Sequence, residues 1–351
     1  MTDDTTNDAL IPVTVITGFL GSGKTTILAR LLRDARFADT AVIVNEFGEV
    51  GLDHALVETA DETIVDLSCG CVCCTIRGDL MTTLNDLHAR RAAGTIRPFA
   101  RVVLETTGLA DPAPIIHTLM QEPTVFAHYR LARVVTAVDA VNGMATLDAQ
   151  PEAVKQAAVA DTLLLTKTDI ANDAAAVAAL DARLAAINPG AVRLACIDGE
   201  TEPGLLFAGG LYDPRDRSAE VARWLAQEAD AEAHPHVHDV NRHGDGIRAF
   251  VIERAAPMGR GVLSGFLQML ADQRGEDLLR LKGLVALTDD PARPAVVHGV
   301  QHVIHPIRRL DSWPDGISHT SIVLVVRGIE KDWVEDLLDK VENSPYAALS
   351  A

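Results

Sequence analysis

The stretch Gly18 to Thr26, GFLGSGKTT, constrains this chain more than any other. It fits the phosphate-cradling pattern G-x-x-x-x-G-K-[ST], with Gly18, Gly23, Lys24 and Thr25 at the fixed positions. The run before it, IPVTVIT, is apolar and β-branched and predicts a buried strand. The run after it, ILARLL, predicts a helix. A glycine turn between strand and helix lets successive backbone N–H groups point at phosphate oxygens, and the helix start adds partial positive charge. Gly21, Ser22 and Thr26 complete the expected cradle. Lys24 would reach the β- and γ-phosphates, and the Thr25 hydroxyl would reach Mg²⁺.

From Ile11 to about Tyr212, strand patterns alternate with helix patterns, which predicts an α/β unit with a mostly parallel sheet and helices on both faces. Ligands on such sheets sit at the carboxyl ends of the strands. Two further motifs follow strand ends. The first is VVLETTG, in which Glu105 would hold Mg²⁺ and the Gly108 N–H would sense a γ-phosphate. The second is TKTD, in which the Lys167 stem would lie along a purine. The Asp169 carboxylate there would accept the two N–H donors that guanine offers and adenine lacks. The usual pattern has Asn where this chain has Thr166, so guanine selection rests on Asp169.

Five cysteines are present, four of them at Cys69, Cys71, Cys73 and Cys74. Secreted disulfide proteins spread their cysteines, whereas a tight cluster points to metal or redox chemistry. The C-x-C-C of Cys71, Cys73 and Cys74 favours Zn²⁺ or Cu⁺, with Co²⁺ compatible. Three near-adjacent thiolates rarely close a tetrahedron, so the site is expected to be open or to borrow Glu46, Glu49 or Cys69. Disulfide chemistry and inert buried thiols remain alternatives. Cys196, in the apolar run VRLACI, is expected in the core.

Near Asp213 the chain turns polar, and residues 213–246 read as a helix and a linker bearing His234, His236, His238 and His243. Histidine tracts bind metals, but no spacing here fixes a geometry. From Ile247 to Ala351, strand patterns beside two helices predict a smaller α+β domain. Within it the parity of His298 and His302 places both on one strand face, with a structural role expected. The net charge of −18 argues against nucleic-acid binding, and no apolar run reaches the length of a membrane span. Residues 1–10 are acidic and polar, unlike a secretory signal, and are expected to form a tail; a cytoplasmic protein fits.

GFLGSGKTT, NEFGEVG, CVCC, ETTGLADP and TKTD, in this order, resemble the CobW-type family of P-loop GTPases, relatives of the HypB and UreG proteins. The segment from Ile247 resembles that family's C-terminal domain. The resemblance implies a cytoplasmic GTPase that acts as a metallochaperone, most often for zinc and in some branches for cobalt in cobalamin synthesis. It implies Cys71, Cys73 and Cys74 as metal ligands and Glu105 to Gly108 as the second switch. Cys69 lies outside the family pattern, and Thr at position 166 is a variant the family shows. The expected partner is a client metalloprotein, and a homodimer is compatible. Slow hydrolysis is expected, because Leu109 stands where a water-orienting glutamine would follow E-x-x-G. Rival readings are a metal-storage or sensing switch, a redox GTPase and an ATP-using P-loop kinase.

Overall fold

The computed structural model describes residues 10–44, 64–66, 75–200, 246–314 and 318–344. The chain forms two compact units. In the first, β1 (Ile11–Thr17), β2 (Thr40–Val44), β3 (Ile64–Asp66), β4 (Arg101–Glu105), β5 (Tyr129–Asp139), β6 (Thr162–Thr166) and β7 (Val192–Cys196) form one sheet in the order β3-β2-β4-β1-β5-β6-β7. Every pairing is parallel. Parallel strands are covered on both faces, so they read as continuous apolar runs; all five residues of TAVIV in β2 and of TLLLT in β6 are buried.

The helices are α1 (Lys24–Arg33), α2 (Thr75–Ala92), α3 (Ala113–Gln121), the short α4 (Pro123–Phe126), α5 (Gly143–Ala149), α6 (Pro151–Val159) and α7 (Ala174–Ile187). Prolines open α4 and α6, where the missing N–H costs nothing. The path steps one way from β1 to β3 and the other way from β4 to β7. Right-handed crossovers therefore put helices on opposite faces of the sheet. Under α1 the core holds Ile16, Ile27, Leu28, Val103, Val135 and Leu164, with Cys196 among them. Burial raises the Cys196 thiol to about 11, as befits an inert core residue.

The second unit holds β8 (Ile247–Arg254), α8 (Arg260–Arg274), β9 (Leu278–Val285), β10 (Ala295–Val300), β11 (Val303–Ile304), β12 (Arg308–Arg309), β13 (Thr320–Arg327) and α9 (Lys331–Glu342). Its antiparallel sheet runs β11-β10-β9-β13-β8, with β12 on β10. Val334, Leu337, Leu338 and Val341 give α9 one apolar stripe, which shares a core with Phe266 and Leu270 of α8. The stretch ARPAVVHGVQHVIH is not one strand. Gln301 takes a left-handed φ of 53° and turns the chain, so His298 and His302 do not share a strand face. His302 Nδ1 donates instead to Ala271 O of α8 at 2.9 Å, and the His305 N–H donates to His298 O at 2.8 Å.

His305 is buried, and its pKa falls to about 3, first through burial and then through His298. The free side chain titrates near 6.5, so between these values the unfolded chain binds more protons than the folded one. Stability then falls as pH drops from about 6.5, with this one proton adding a slope of up to about 1.4 kcal/mol per pH unit. Urea unfolding of the full chain at pH 4.5–7, followed by tryptophan fluorescence, should show a shallower acid loss in His305→Gln; an unchanged slope would exclude His305 as the source.

Candidate functional site

β1 lies between β4 and β5, at the point where the path reverses across the sheet. The phosphate-loop motif leaves its carboxyl end there, where open α/β sheets take ligands. Gly18 has φ 139°, and a Cβ on it would stand 2.3 Å from Ala137 O of β5, so only glycine allows this turn. Gly23 precedes α1 and provides no side-chain cap. The first-turn N–H groups of a helix need acceptors from outside it, and an anion supplies them.

The side chains around this turn fit a polyanion. Lys24 is buried, and its Nζ donates to Gly18 O at 2.9 Å and to Phe19 O at 3.2 Å. Its ammonium is thus held inside the loop. Ser22 is also buried, and its Oγ has no hydrogen-bond partner among the described residues. It borders a cavity of about 250 Å³ that Gly21, Thr136, Asn142, Gln156 and Lys167 also line. Thr26 is exposed on the first turn of α1.

Thr25 and Glu105 meet. The Thr25 hydroxyl donates to Glu105 Oε1 at 3.0 Å, and Glu105 is 2% exposed. Adjacent ligands of an octahedral Mg²⁺, each about 2.1 Å from the ion, stand about 3.0 Å apart. The two oxygens therefore fit one edge of a magnesium shell. Three residues on, a Cβ at Gly108 would lie 2.7 Å from the Leu20 backbone nitrogen. The ETTG loop is pressed against the phosphate loop, and any side chain at 108 would force them apart.

At the far side of the phosphate loop, Thr166 Oγ1 donates to Ser22 O at 2.7 Å. Thr166 thus ties the end of β6 to the phosphate loop through its hydroxyl. Lys167, at φ 59°, donates from Nζ to Asp139 Oδ2 at 2.8 Å. Burial opposes charge on Asp139, but bonds from Lys167, Asn142 and the Val141 and Asn142 N–H groups outweigh it and hold its pKa below the usual value. Asp169 is exposed, and no described residue bonds its carboxylate.

The structure thus brings together the phosphate loop, Thr25, Glu105, Gly108 and Lys167, with Asp169 two residues beyond. Glu46, Glu49, Cys69, Cys71, Cys73, Cys74, His234, His236, His238 and His243 lie outside the described residues. Among the described residues no group of three or more His, Cys, Asp or Glu could hold a metal ion, and no helix is long and apolar enough to cross a membrane. Sequence reasoning missed Asp139 and Gln156. A signal existed for Asp139, a carboxylate ending an apolar strand as Glu105 does. Gln156 stood out only as a polar residue on an alanine-rich helix.

The Thr166 tie makes a definite prediction. Thr166→Val keeps the shape and removes the donor, a loss of about 1 kcal/mol and a roughly fivefold weaker nucleotide affinity. Thr166→Ser retains the donor and should bind as the parent does. Equilibrium binding of fluorescent guanine nucleotide checks this, and equal affinities for Val and Ser would sink it.

The model of the CobW/HypB/UreG nucleotide-binding domain matches residues 12–194, and that of the cobalamin synthesis protein cobW C-terminal domain matches residues 247–342. The chain is 33% identical to the zinc chaperone YjiA of Escherichia coli K12 over 315 residues, 90% of this chain and 93% of that one. It is 30% identical to the zinc chaperone CobW of Pseudomonas aeruginosa over 328 residues, 83% and 81% of the two chains. The crystal structure of Zn(II)-bound YjiA GTPase from E. coli superposes with a TM-score of 0.70 at 27% identity, covering 95% of this chain and 99% of that one. The match of both domains and the coverage of these relatives place the chain in the CobW/HypB/UreG family of nucleotide-binding proteins.

Proposed function

We propose that this protein is a slow GTPase that binds zinc through Cys71, Cys73 and Cys74 and passes it to a client metalloprotein, with the bound nucleotide setting when the metal is held. Glu49 and Cys69 are the proposed further ligands. The observation that carries the reading is a strand register. Val44, the last residue of β2, pairs with Asp66 on one side and Glu105 on the other. The segment 45–58 leaves the first of these strand ends, and the cysteine segment leaves the second. The first starts next to the carboxylate proposed to hold magnesium and the second one strand further out, so a change at Glu105 would reach both along one row of the sheet. The names of the relatives, zinc chaperones and a GTPase, support the same metal and the same nucleotide.

In the proposed reaction water attacks the γ-phosphorus, the bond from the γ-phosphorus to its bridging oxygen breaks, and GDP leaves with that electron pair. Lys24 and the α1 N-terminus hold the phosphate oxygens in place. Thr25 and Glu105 would hold Mg²⁺, which when bound neutralises charge on the β- and γ-phosphates. Lys167, steadied by Asp139, flanks the base, and Asp169 accepts from guanine N1 and N2. Leu109 is exposed and carries no group to orient water, in keeping with slow turnover.

The deciding experiment is a competitive titration of zinc against cobalt with Mg²⁺ present. It compares a non-hydrolysable GTP analogue, GDP and no nucleotide, in the parent and in Cys73→Ser. Zinc affinity should change at least tenfold between nucleotide states and collapse in Cys73→Ser. Equal affinity in all three states would refute the coupling, and tighter cobalt binding would reassign the metal. For the base, Asp169→Ala should weaken GTP binding roughly 10- to 100-fold, the worth of hydrogen bonds to a charged group, with ATP binding unmoved. An unchanged preference for GTP over ATP in that variant would remove Asp169 from recognition.

A further inference from the structure

Helix α6 carries two consecutive side chains that reach the same loop. Gln156 Nε2 donates to Gly108 O at 3.2 Å and to Ala110 O at 3.0 Å. Lys155 Nζ meets Asp111 Oδ2 at 3.0 Å. Asp111 in turn accepts from the Ala113 N–H at the start of α3 through its other oxygen. Loop residues from Gly108 to Asp111 are thus held from one helix, while Gly108 is pressed on Leu20 from the other side. The loop is clamped between α6 and the phosphate loop.

Gln156 is 0% exposed, and its neighbours on α6 are Ala153, Val154, Ala157 and Ala158. Alanine or valine would suit that helix face, and a buried carboxamide destabilises unless it is hydrogen-bonded. Both of its N–H donors go to the loop. Its Oε1 has no partner among the described residues. The helix itself is fixed to the sheet, because Thr136 Oγ1 of β5 donates to Gln156 O at 2.7 Å. The clamp is therefore rigid on its far side, and the loop is the part free to yield.

We infer that Gln156, helped by Lys155, is a positioning residue that holds the ETTG loop against the phosphate loop and so lets the protein tell a nucleoside triphosphate from a diphosphate. This rests on the GTPase reading and names how that site senses the third phosphate. A γ-phosphate at the phosphate loop meets a loop already in place, and its carbonyls are kept turned toward α6. Without the clamp, binding the triphosphate must order the loop, whereas a diphosphate does not engage it.

The test uses the full chain and three proteins: parent, Gln156→Met and Lys155→Met. Methionine is close to glutamine in size and has no N–H donors. GDP and non-hydrolysable GTP analogue affinities are measured, with single-turnover hydrolysis of GTP. In Gln156→Met, GDP affinity should stay within about threefold of the parent, while analogue affinity and hydrolysis fall tenfold or more. Lys155→Met, at a partly exposed site, should move the same way by a smaller factor. If GDP and analogue affinities fall together, Gln156 is only structural and the inference is overturned. Unchanged analogue affinity in both variants overturns it as well. Should Gln156→Met not fold, the ratio of analogue to GDP affinity in Lys155→Met decides alone. A parent that binds no guanine nucleotide refutes the GTPase reading instead, a result separate from any of these.

Discussion

The position of β1 between β4 and β5 is the constraint on which the rest depends. A strand buried on both faces and paired on both edges cannot shift register without unpairing its neighbours. Ile16 pairs with Glu105 on one side and Val135 on the other, so the phosphate loop starts at a fixed height relative to both partners. The 3.0 Å approach of Thr25 to Glu105 and the contact of Gly18 with Ala137 follow from that height. Motif residues distant in sequence become neighbours because strands, not loops, set their level.

This explains what could be read from the sequence. The strands of the first unit were legible because parallel strands must be apolar throughout, and runs such as TAVIV and TLLLT match no exposed element. The meeting of Thr25 and Glu105 was legible because each belongs to a motif that follows the end of a parallel strand. The β10–β11 turn was not, since Gln301 carries no signal for a left-handed conformation that glycine or asparagine usually takes. The pairings made by Asp139 and Gln156 were not legible for another reason. Their partners, Lys167 and Gly108, lie 28 and 48 residues away, and nothing local to either residue announces the pairing. The tertiary fold alone brings such pairs together.

The elements around the nucleotide cleft form a closed set of contacts. Phosphate loop and β6 are joined by Thr166, the ETTG loop and α6 by Gln156, and α6 and β5 by Thr136. Helix α6 runs straight into β6 through Ala160 and Asp161, and the Asp161 N–H donates back to Val134 O of β5 at 2.8 Å. One continuous piece of chain, α6 and β6, therefore touches the ETTG loop through Gln156 and the phosphate loop through Thr166. The same piece of chain thus links the ETTG loop to the segment that holds Lys167, and under the proposed function a nucleotide that orders one end would lower the cost of ordering the other.

That arrangement bears on why a nucleotide site and a cysteine motif share one chain. In the proposed function the nucleotide acts on the cysteine segment, and the phosphate loop stands three strands from β3, the strand that precedes that segment in the sequence. The intervening strands are β4 and β2, whose ends are Glu105 and Val44. In the proposed cycle, a Glu105 that holds magnesium in one state and accepts from the Thr25 hydroxyl alone in another would change the charge at that shared row. Each thiolate bound to zinc is sensitive to nearby charge, because metal affinity and ligand protonation are linked. On this reading the phosphate loop is the control end of the molecule, and the sheet edge beyond Val44 is where that control is applied.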